Sequence, residues 1–513
     1  MVPIRVPSGS FRDVGVVKDG VVWIEVADRG GELGATRAGV TGEAPSDVLW
    51  HYNLSARHLD KLCERVDTFS VSGDGERLVV RHRDDTIVVP SSHKVDDDDP
   101  AYIRVDLTRL RRTVNPRAEW RQMFDENGRL MASHYWREDM NGVDWDSVLN
   151  RYRPLVDLCH VVDDLHDILW ETVAELNTSH SYVSASGAAG DSDMRAGLLG
   201  ADVSSGNDGA KVVRVIPGES SDPRAWSPLR AAGVAVTEGD VIVAVDGRKV
   251  GADGNLGELL EGSAGRVVEL TVRRGENERQ VAVVPMADEA PLRYHDWVAS
   301  RRRYVEEHSG GRLGYLHVPD MVSDGWAELH RQIGEATRHE GVIADVRFNH
   351  GGHTSQLVVE RLARRVVGWD YSRWYATADT YPQNAVRGPI VMVTNQWAGS
   401  DGDIVAAATQ AMGYAKVIGE RSWGGVVGID GRFDLVDGTS VTQPRYAGWY
   451  GSYGWGVENH GVDPDIVVTV SPEDWEADCD VQLDAAIAEC LRQLDDKPAA
   501  TAPELPGPAF DRC

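Results

Sequence analysis

Cysteine, positive charge and long apolar runs are all scarce in this chain, and each shortage closes a class of function. Five cysteines, Cys63, Cys159, Cys479, Cys490 and Cys513, are scattered and odd in number. No pair stands at CxxC spacing, so neither a zinc knuckle nor a dithiol redox centre is indicated. Reduced intracellular thiols fit better than a disulfide framework. Lys and Arg number 53 against 81 Asp and Glu, a formal net charge of −28. A phosphate backbone asks for clustered cations, which argues against nucleic acid as the main partner and against an anionic membrane surface. A salt-adapted host and plain solubility explain the acidity equally well. No apolar run approaches a membrane span, and the opening MVPIRVPSGSFRDVG lacks the apolar core of a signal peptide. The expectation is a soluble, cytoplasmic protein with no membrane partner.

What is present is a chain of 513 residues, 42% hydrophobic and 26% charged, ordinary globular values. That length implies about three or four domains. Residues 1–108 are β-rich, with apolar runs such as VGVVKDGVVWIEV, RLVVRHR and TIVVP between Gly/Asp turns. The acidic run VDDDDP (95–100) reads as an exposed loop. Residues 109–190 change to helical spacing, in PRAEWRQMFDENGRLMASHYW and again from Trp145 to Leu176, and end in NTSHSYVSA. Residues 195–287 form a compact β-rich unit in which SPLRAAGVAVTEGDVIVAVDGRKV resembles a PDZ domain. Its loop AGLLGADV (196–203) falls where such domains hold a peptide's C-terminal carboxylate on backbone N–H groups. A PDZ-shaped spacer or gate is the competing reading. Residues 288–495 alternate strand and helix, the mark of an α/β layer. The tail 496–513 is rich in Pro and Ala and is expected to be disordered.

One junction stands out. The strand-like PIVMVT (389–394) runs through NQWAGSDGD into the helix-like IVAAATQAM (404–412). A serine in such a turn can project from it, with glycines permitting the turn and close approach of substrate. The N–H groups that follow point out of a helix N-terminus, where an oxyanion is welcome. A plain helix N-cap, for which Ser and Asp are favoured, explains the stretch locally as well. Three other stretches bear on the choice. In NTSHSYV, His180 lies between Ser179 and Ser181, and histidine is the usual base for a serine nucleophile. In GVIADVRFNHGGHTS, a buried strand runs into Gly351 and Gly352, which can offer an N–H to an oxyanion or simply turn the chain. In GWGVENHGVDPDIVV, Glu458 is either a carboxylate that orients a base or an exposed loop residue.

Together, DVRFNHGG, GSDGD, TSHSYV and VENHGVDPD around a PDZ-like unit resemble the tricorn protease family, which belongs with the C-terminal (tail-specific) processing proteases. The resemblance covers residues 110 to 490. It implies a multi-domain α+β and α/β protein: a partial β-propeller at the N-terminus, a helical segment, a PDZ-like domain and an α/β (ClpP/crotonase-like) serine protease core. It assigns Ser400 as nucleophile, His180 as general base, and Ser179 and Glu458 as the rest of a tetrad, Glu458 acting through Ser179. It assigns the oxyanion hole to the N–H groups of Gly352 and Asp401, with Gly351 and Gly352 lining the substrate. Family members cut short peptides such as proteasome products and assemble as hexamers. An acidic residue from a neighbouring subunit selects basic side chains, and Asp370 is the nearest candidate. No metal or organic cofactor is implied. Tricorn chains carry two β-propellers ahead of the helical segment, whereas 110 β-rich residues suffice for roughly two blades. A fragment or a shortened relative is therefore expected, and open strand edges with it.

Two rival functions remain. A Ser–Lys tail-specific protease needs a lysine roughly 25 residues after the serine, kept neutral by burial. Position 425 is glycine, and Lys416 and Lys497 are the lysines after residue 290. A non-catalytic PDZ scaffold is the other rival, against which all four tetrad positions carry competent residues.

Overall fold

The structure is a computed structural model and describes residues 8–27, 46–82, 85–111, 113–186, 194–251, 255–430 and 433–505. The chain divides into two compact units, Met1–Val114 with Gly218–Trp226, and Asn115–Pro217 with Ser227–Cys513. In the first unit the alternation of Val, Ile and Trp with polar residues makes strands with one buried face. β1 (Ser10–Val17), β2 (Gly20–Val26), β3 (Val48–Asn53) and β4 (His58–Glu64) form one antiparallel meander. β5 (Thr68–Val71), β6 (Arg77–His82), β7 (Asp85–Pro90) and β8 (Ile103–Val105) form a second. Val22, Ile24 and Leu49 of the first share a core with Leu78, Val80 and Val89 of the second. Two successive four-stranded meanders are the repeat from which propeller blades are built.

The second unit begins with three helices, α1 (Pro116–His134), α2 (Trp145–Val156) and α3 (Val162–Ala174). The apolar spacing from Trp145 to Leu176 runs on without a gap, yet the helix breaks there. Pro154 near the end of α2 removes a donor, and the Asp164 carboxylate accepts from the N–H groups of His160 and Val161, opening α3. The PDZ-like part is a six-stranded sheet. Its path is β9 (Ala201–Gly206), β10 (Gly209–Val215), β11 (Val241–Val245), β12 (Val268–Arg274) and β13 (Asn277–Val283), with Arg248–Lys249 paired to β11. Its one α-helix among the described residues is the four-residue α4 (Leu256–Leu259).

The last part is a five-stranded parallel sheet flanked by helices on both faces. The strands are β14 (Leu313–His317), β15 (Gly341–Asp345), β18 (Ile390–Thr394), β19 (Ala415–Gly419) and β20 (Ile466–Val467), adjacent in that order. β16 (Gly368–Asp370) and β17 (Asp379–Tyr381) form a separate hairpin. Side chains of period two divide the core. Leu316, Val342, Ala344, Met392 and Val417 pack on α6 (Ser323–Ala336), α7 (Ser355–Leu362) and α8 (Asp401–Met412). Leu313, Tyr315, Ile343, Val391 and Ile418 pack on α5 (Ala290–His308) and α9 (Val481–Asp496). Strands buried on both faces read as continuous apolar runs. Open sheets of this kind bind ligands outside the carboxyl ends of their strands. The loops after β15 and β18 both leave from those ends. The tail, expected to be disordered, is instead tied down in its described part, with Ala500 N–H donating to Arg387 O and the Tyr371 hydroxyl to Pro503 O.

Candidate active site

Ser400 sits at the corner where β18 gives way to α8. Its backbone is held at φ 58°, ψ −121°, in a region L-residues rarely adopt. Such a conformation costs about 1–3 kcal/mol and collects at functional sites. Ser400 occupies the N-cap position of α8, but its hydroxyl caps no N–H. The helix turn is closed by backbone alone, with Gly402 N–H donating to Gly399 O and the N–H groups of Asp403 and Ile404 to Ser400 O. The local N-cap explanation thus does not account for the side chain. The Asp401 N–H is left as the first unspent donor of α8 among the described residues.

The loop after β15 lies against this corner. A Cβ added to Gly351 would stand 2.4 Å from Ser400 Cβ and 3.0 Å from its Oγ, so only glycine permits the approach. Gly351 has φ 77° and its N–H is spent on Asn349 Oδ1 at 2.9 Å. Gly352, at φ 145°, bridges Met321 in parallel register. In that bridge Met321 N–H donates to Gly351 O and His353 N–H to Met321 O, which leaves the Gly352 N–H without a partner among the described residues. Two asparagines knit the two loops. Buried Asn349 receives Gly399 N–H on its carbonyl and donates from Nδ2 to Val318 O at 2.8 Å. Asn395 Oδ1 accepts from Phe348 N–H at 3.0 Å. Beneath them Arg347 pairs with Asp345 at 2.7 Å and Asp480 at 2.8 Å, all three buried, which ties the base of the loop to the start of α9.

His180 comes from the turn after α3 and is also strained, at φ 58°. Its Nδ1 lies 3.0 Å from Ser179 Oγ, and that oxygen lies 3.0 Å from Glu458 Oε2. A carboxylate only accepts, so the Ser179 hydroxyl donates to Glu458 and its oxygen receives the His180 Nδ1–H. The tautomer follows, with Nε2 left holding a lone pair. Glu458 is fixed by three backbone donors, Ser179 N–H at 2.6 Å, Val426 N–H at 2.8 Å and Val427 N–H at 3.0 Å. Thr442 donates to His180 O and receives Tyr182 N–H, stitching the turn to a neighbouring strand. Trp423 stands edge-on to the imidazole, 5.6 Å between centroids, and the same indole packs on Gly399. One ring therefore touches both the His180 imidazole and the turn that carries Ser400. Burial lowers the His180 pKa, with the Glu458 charge opposing it. Among the described residues no hydrogen bond joins His180 to Ser400, and no group of three or more His, Cys, Asp or Glu is placed to hold a metal.

Three regions of the chain match known families. Residues 116–174 match the tricorn protease C1 domain, 197–288 the tricorn protease PDZ domain, and 312–468 peptidase family S41. The chain is 54% identical to tricorn protease homolog 1 of Streptomyces coelicolor, over 99% of its own length and 48% of that protein. It is 34% identical to the tricorn protease of Thermoplasma acidophilum, over 96% of its length and 45% of that protein. The crystal structure of the tricorn protease superposes with a TM-score of 0.87 at 32% identity, over 96% of this chain and 47% of that one. Over nearly its whole length the chain is similar to the tricorn proteases. It spans about half the length of the curated relatives it matches.

Within that tricorn frame, the structure brings Ser179, His180 and Glu458 into one hydrogen-bonded series and sets Gly351 against Ser400, next to Asp401. Asp370 has no described bond to either group. It is exposed on the hairpin, opposite Asp379, and none of its described contacts reaches the Ser400 corner. Lys416 is an exposed residue of β19 paired with Asp465 at 3.3 Å, unlike the buried neutral lysine that a Ser–Lys dyad needs. Asn349, Asn395, Asp403 and Trp423 also build the site, although motif reading passes over them. Asn349, Asn395 and Asp403 lie inside quoted motifs, where they read as loop or helix-cap chemistry, Trp423 lies outside them, and the partner of each is in another loop. The PDZ loop differs from expectation in one respect. The N–H groups of Gly197 and Leu198 bond to Leu260 O and Met286 O, and that of Gly200 to Glu289 Oε2.

Proposed function

We propose that the chain is a serine endopeptidase of the tricorn type. Ser400 attacks the peptide carbonyl while His180 Nε2 takes its proton. Glu458, through Ser179, holds the imidazole and stabilises the imidazolium that forms. The N–H groups of Gly352 and Asp401 receive the oxyanion, in such sites often the largest single contribution to rate. His180 then protonates the leaving amine, and water releases the acyl-enzyme. The observation that supports this best is the Glu458–Ser179–His180 series, which leaves a basic nitrogen free on an imidazole that Trp423 links to the turn of a strained Ser400. Short peptides such as proteasome products are the proposed substrates, and a cytoplasmic homo-oligomer is the proposed working form. No helix among the described residues is long and apolar enough to cross a membrane.

Fluorophosphonate labelling of the purified chain tests the reading. The label is expected on Ser400, absent in Ser400→Ala, and formed about 10³-fold more slowly in His180→Ala, a loss on the scale of removing a triad member. Labelling that survives His180→Ala at full rate would return a lysine or another base to consideration. No label at all, with peptides bound but not cut, would favour the scaffold.

A further inference from the structure

Asp403 is fully buried, and no step of the chemistry above uses it. It lies on the first turn of α8, three residues after Ser400. Its Oδ1 accepts from Ser422 Oγ at 2.5 Å and Gly424 N–H at 2.8 Å, and its Oδ2 from Gly425 N–H at 3.1 Å. A buried carboxylate costs several kcal/mol unless its oxygens are engaged. Burial pushes this one up to about 6, and the three donors pull against that shift. Those donors favour its ionised form, whose oxygens can serve all three at once.

Those donors belong to a single loop with a second anchor. Directly after Gly425, the N–H groups of Val426 and Val427 donate to Glu458 Oε2, the oxygen that receives Ser179. Within the first anchor Trp423 donates its backbone N–H to Ala398 O and sets its ring against His180 and Gly399. Ser422 adds a further tie, its Oγ accepting Val462 N–H at 2.8 Å. The loop 422–427 is therefore a crosspiece. One end is fixed to the nucleophile's helix by Asp403, the other to the base's partner by Glu458. Ser400 and His180 come from distant parts of the sequence, with no direct bond to set their spacing.

We propose that Asp403 is a positioning residue for the Ser400–His180 pair, acting through the 422–427 loop. The proposal rests on the reading of Ser400 as nucleophile and His180 as base. An amide has one oxygen, so Asp403→Asn turns one acceptor into an NH2 group facing the Gly425 or Gly424 N–H. That end of the loop must then shift, and Trp423 with it. The effect falls on the geometry of proton transfer rather than on substrate contacts, so it belongs in kcat and not in KM.

The test is a double-mutant cycle with a reactive ester substrate, scored per active site titrated by fluorophosphonate. Asp403→Asn is expected to lower kcat by about 10- to 100-fold, the scale of a small misplacement of reacting groups, with KM within about twofold. In the His180→Ala background the same change should cost nothing further, because residues acting as a unit are not additive. An equal loss on both backgrounds, or an unchanged kcat per titrated site, overturns the proposal. Ser422→Ala, which removes one of the three donors, should give a smaller loss with the same dependence on His180. It keeps the question open to disproof if Asp403→Asn does not fold. Full activity in His180→Ala alone would overturn the base assignment, and the positioning role with it.

Discussion

His180 is half-buried between Tyr182 and Trp423, and that enclosure decides the pH at which it can act. Desolvation penalises the imidazolium and lowers the pKa below the ordinary value near 6.5. The Glu458 charge pulls it back in part. A base must be neutral to accept a proton, so activity should rise as pH climbs through that lowered value and stay level above it. The profile of kcat/KM reports the free enzyme. Its acid limb is expected to have a midpoint below about 6.5. A midpoint above 7, or a flat profile from pH 5 to 8, would remove His180 as the base. The same residue illustrates which parts of the site can be read without coordinates. Ser400, His180, Ser179, Glu458 and Gly352 lie in short motifs whose residue types already suit the chemistry. What the motifs leave open is geometry. That the Ser400 hydroxyl caps nothing and that Gly351 rather than Gly352 gives its N–H to Asn349 depend on local backbone geometry, and that Trp423 touches both His180 and Gly399 is a contact between loops.

At the scale of elements, the parallel strands are easiest to foresee. Gly341–Asp345 and Ile390–Thr394 are buried along their whole length and read as unbroken apolar runs. The break between α2 and α3 is harder, because an apolar period passes through it and the interruption depends on one carboxylate, Asp164, reaching back to cap. The PDZ loop is harder still. Its sequence suits a carboxylate cradle, but a distant side chain has taken one of the N–H groups. Glu289 Oε2 receives Gly200 N–H at 3.2 Å while its Oε1 is held by Arg293 at 2.7 Å. Recognition by β-strand addition needs both a free edge and free cradle donors. Here β9 is an edge strand, but the donors of Gly197, Leu198 and Gly200 are used internally. The intact chain is therefore expected to bind peptides with free and amidated C-termini about equally weakly, measured by fluorescence polarisation. Glu289→Ala should strengthen the free-acid peptide alone. A tenfold preference for the free acid in the unaltered chain would mean that the cradle is already open.

At the scale of the whole chain, the dominant fact is charge. A net −28 sets up a negative potential that attracts cationic peptides and repels anionic ones before any contact forms. Such steering acts on encounter and fades as salt shortens the Debye length, from about 30 Å at 0.01 M to about 8 Å at 0.15 M. Two peptides with the same cleavage sequence, one flanked by lysines and one by glutamates, separate this effect from chemistry. Raising the salt is expected to lower kcat/KM for the basic peptide several-fold, to raise it for the acidic one, and to leave kcat unchanged for both. A specific acidic partner near the scissile bond predicts something different, since a contact pair at close range is screened far less. Asp370 carries the family's expectation for that role, yet it is exposed on a hairpin and is one charge among many. Asp370→Asn should leave the salt slope almost unaltered if the field of the whole chain does the steering. If that single change abolishes the preference for the basic peptide at high salt as well as low, selection is local. Asp370 must then reach a substrate, whether in its own chain or in a neighbouring copy.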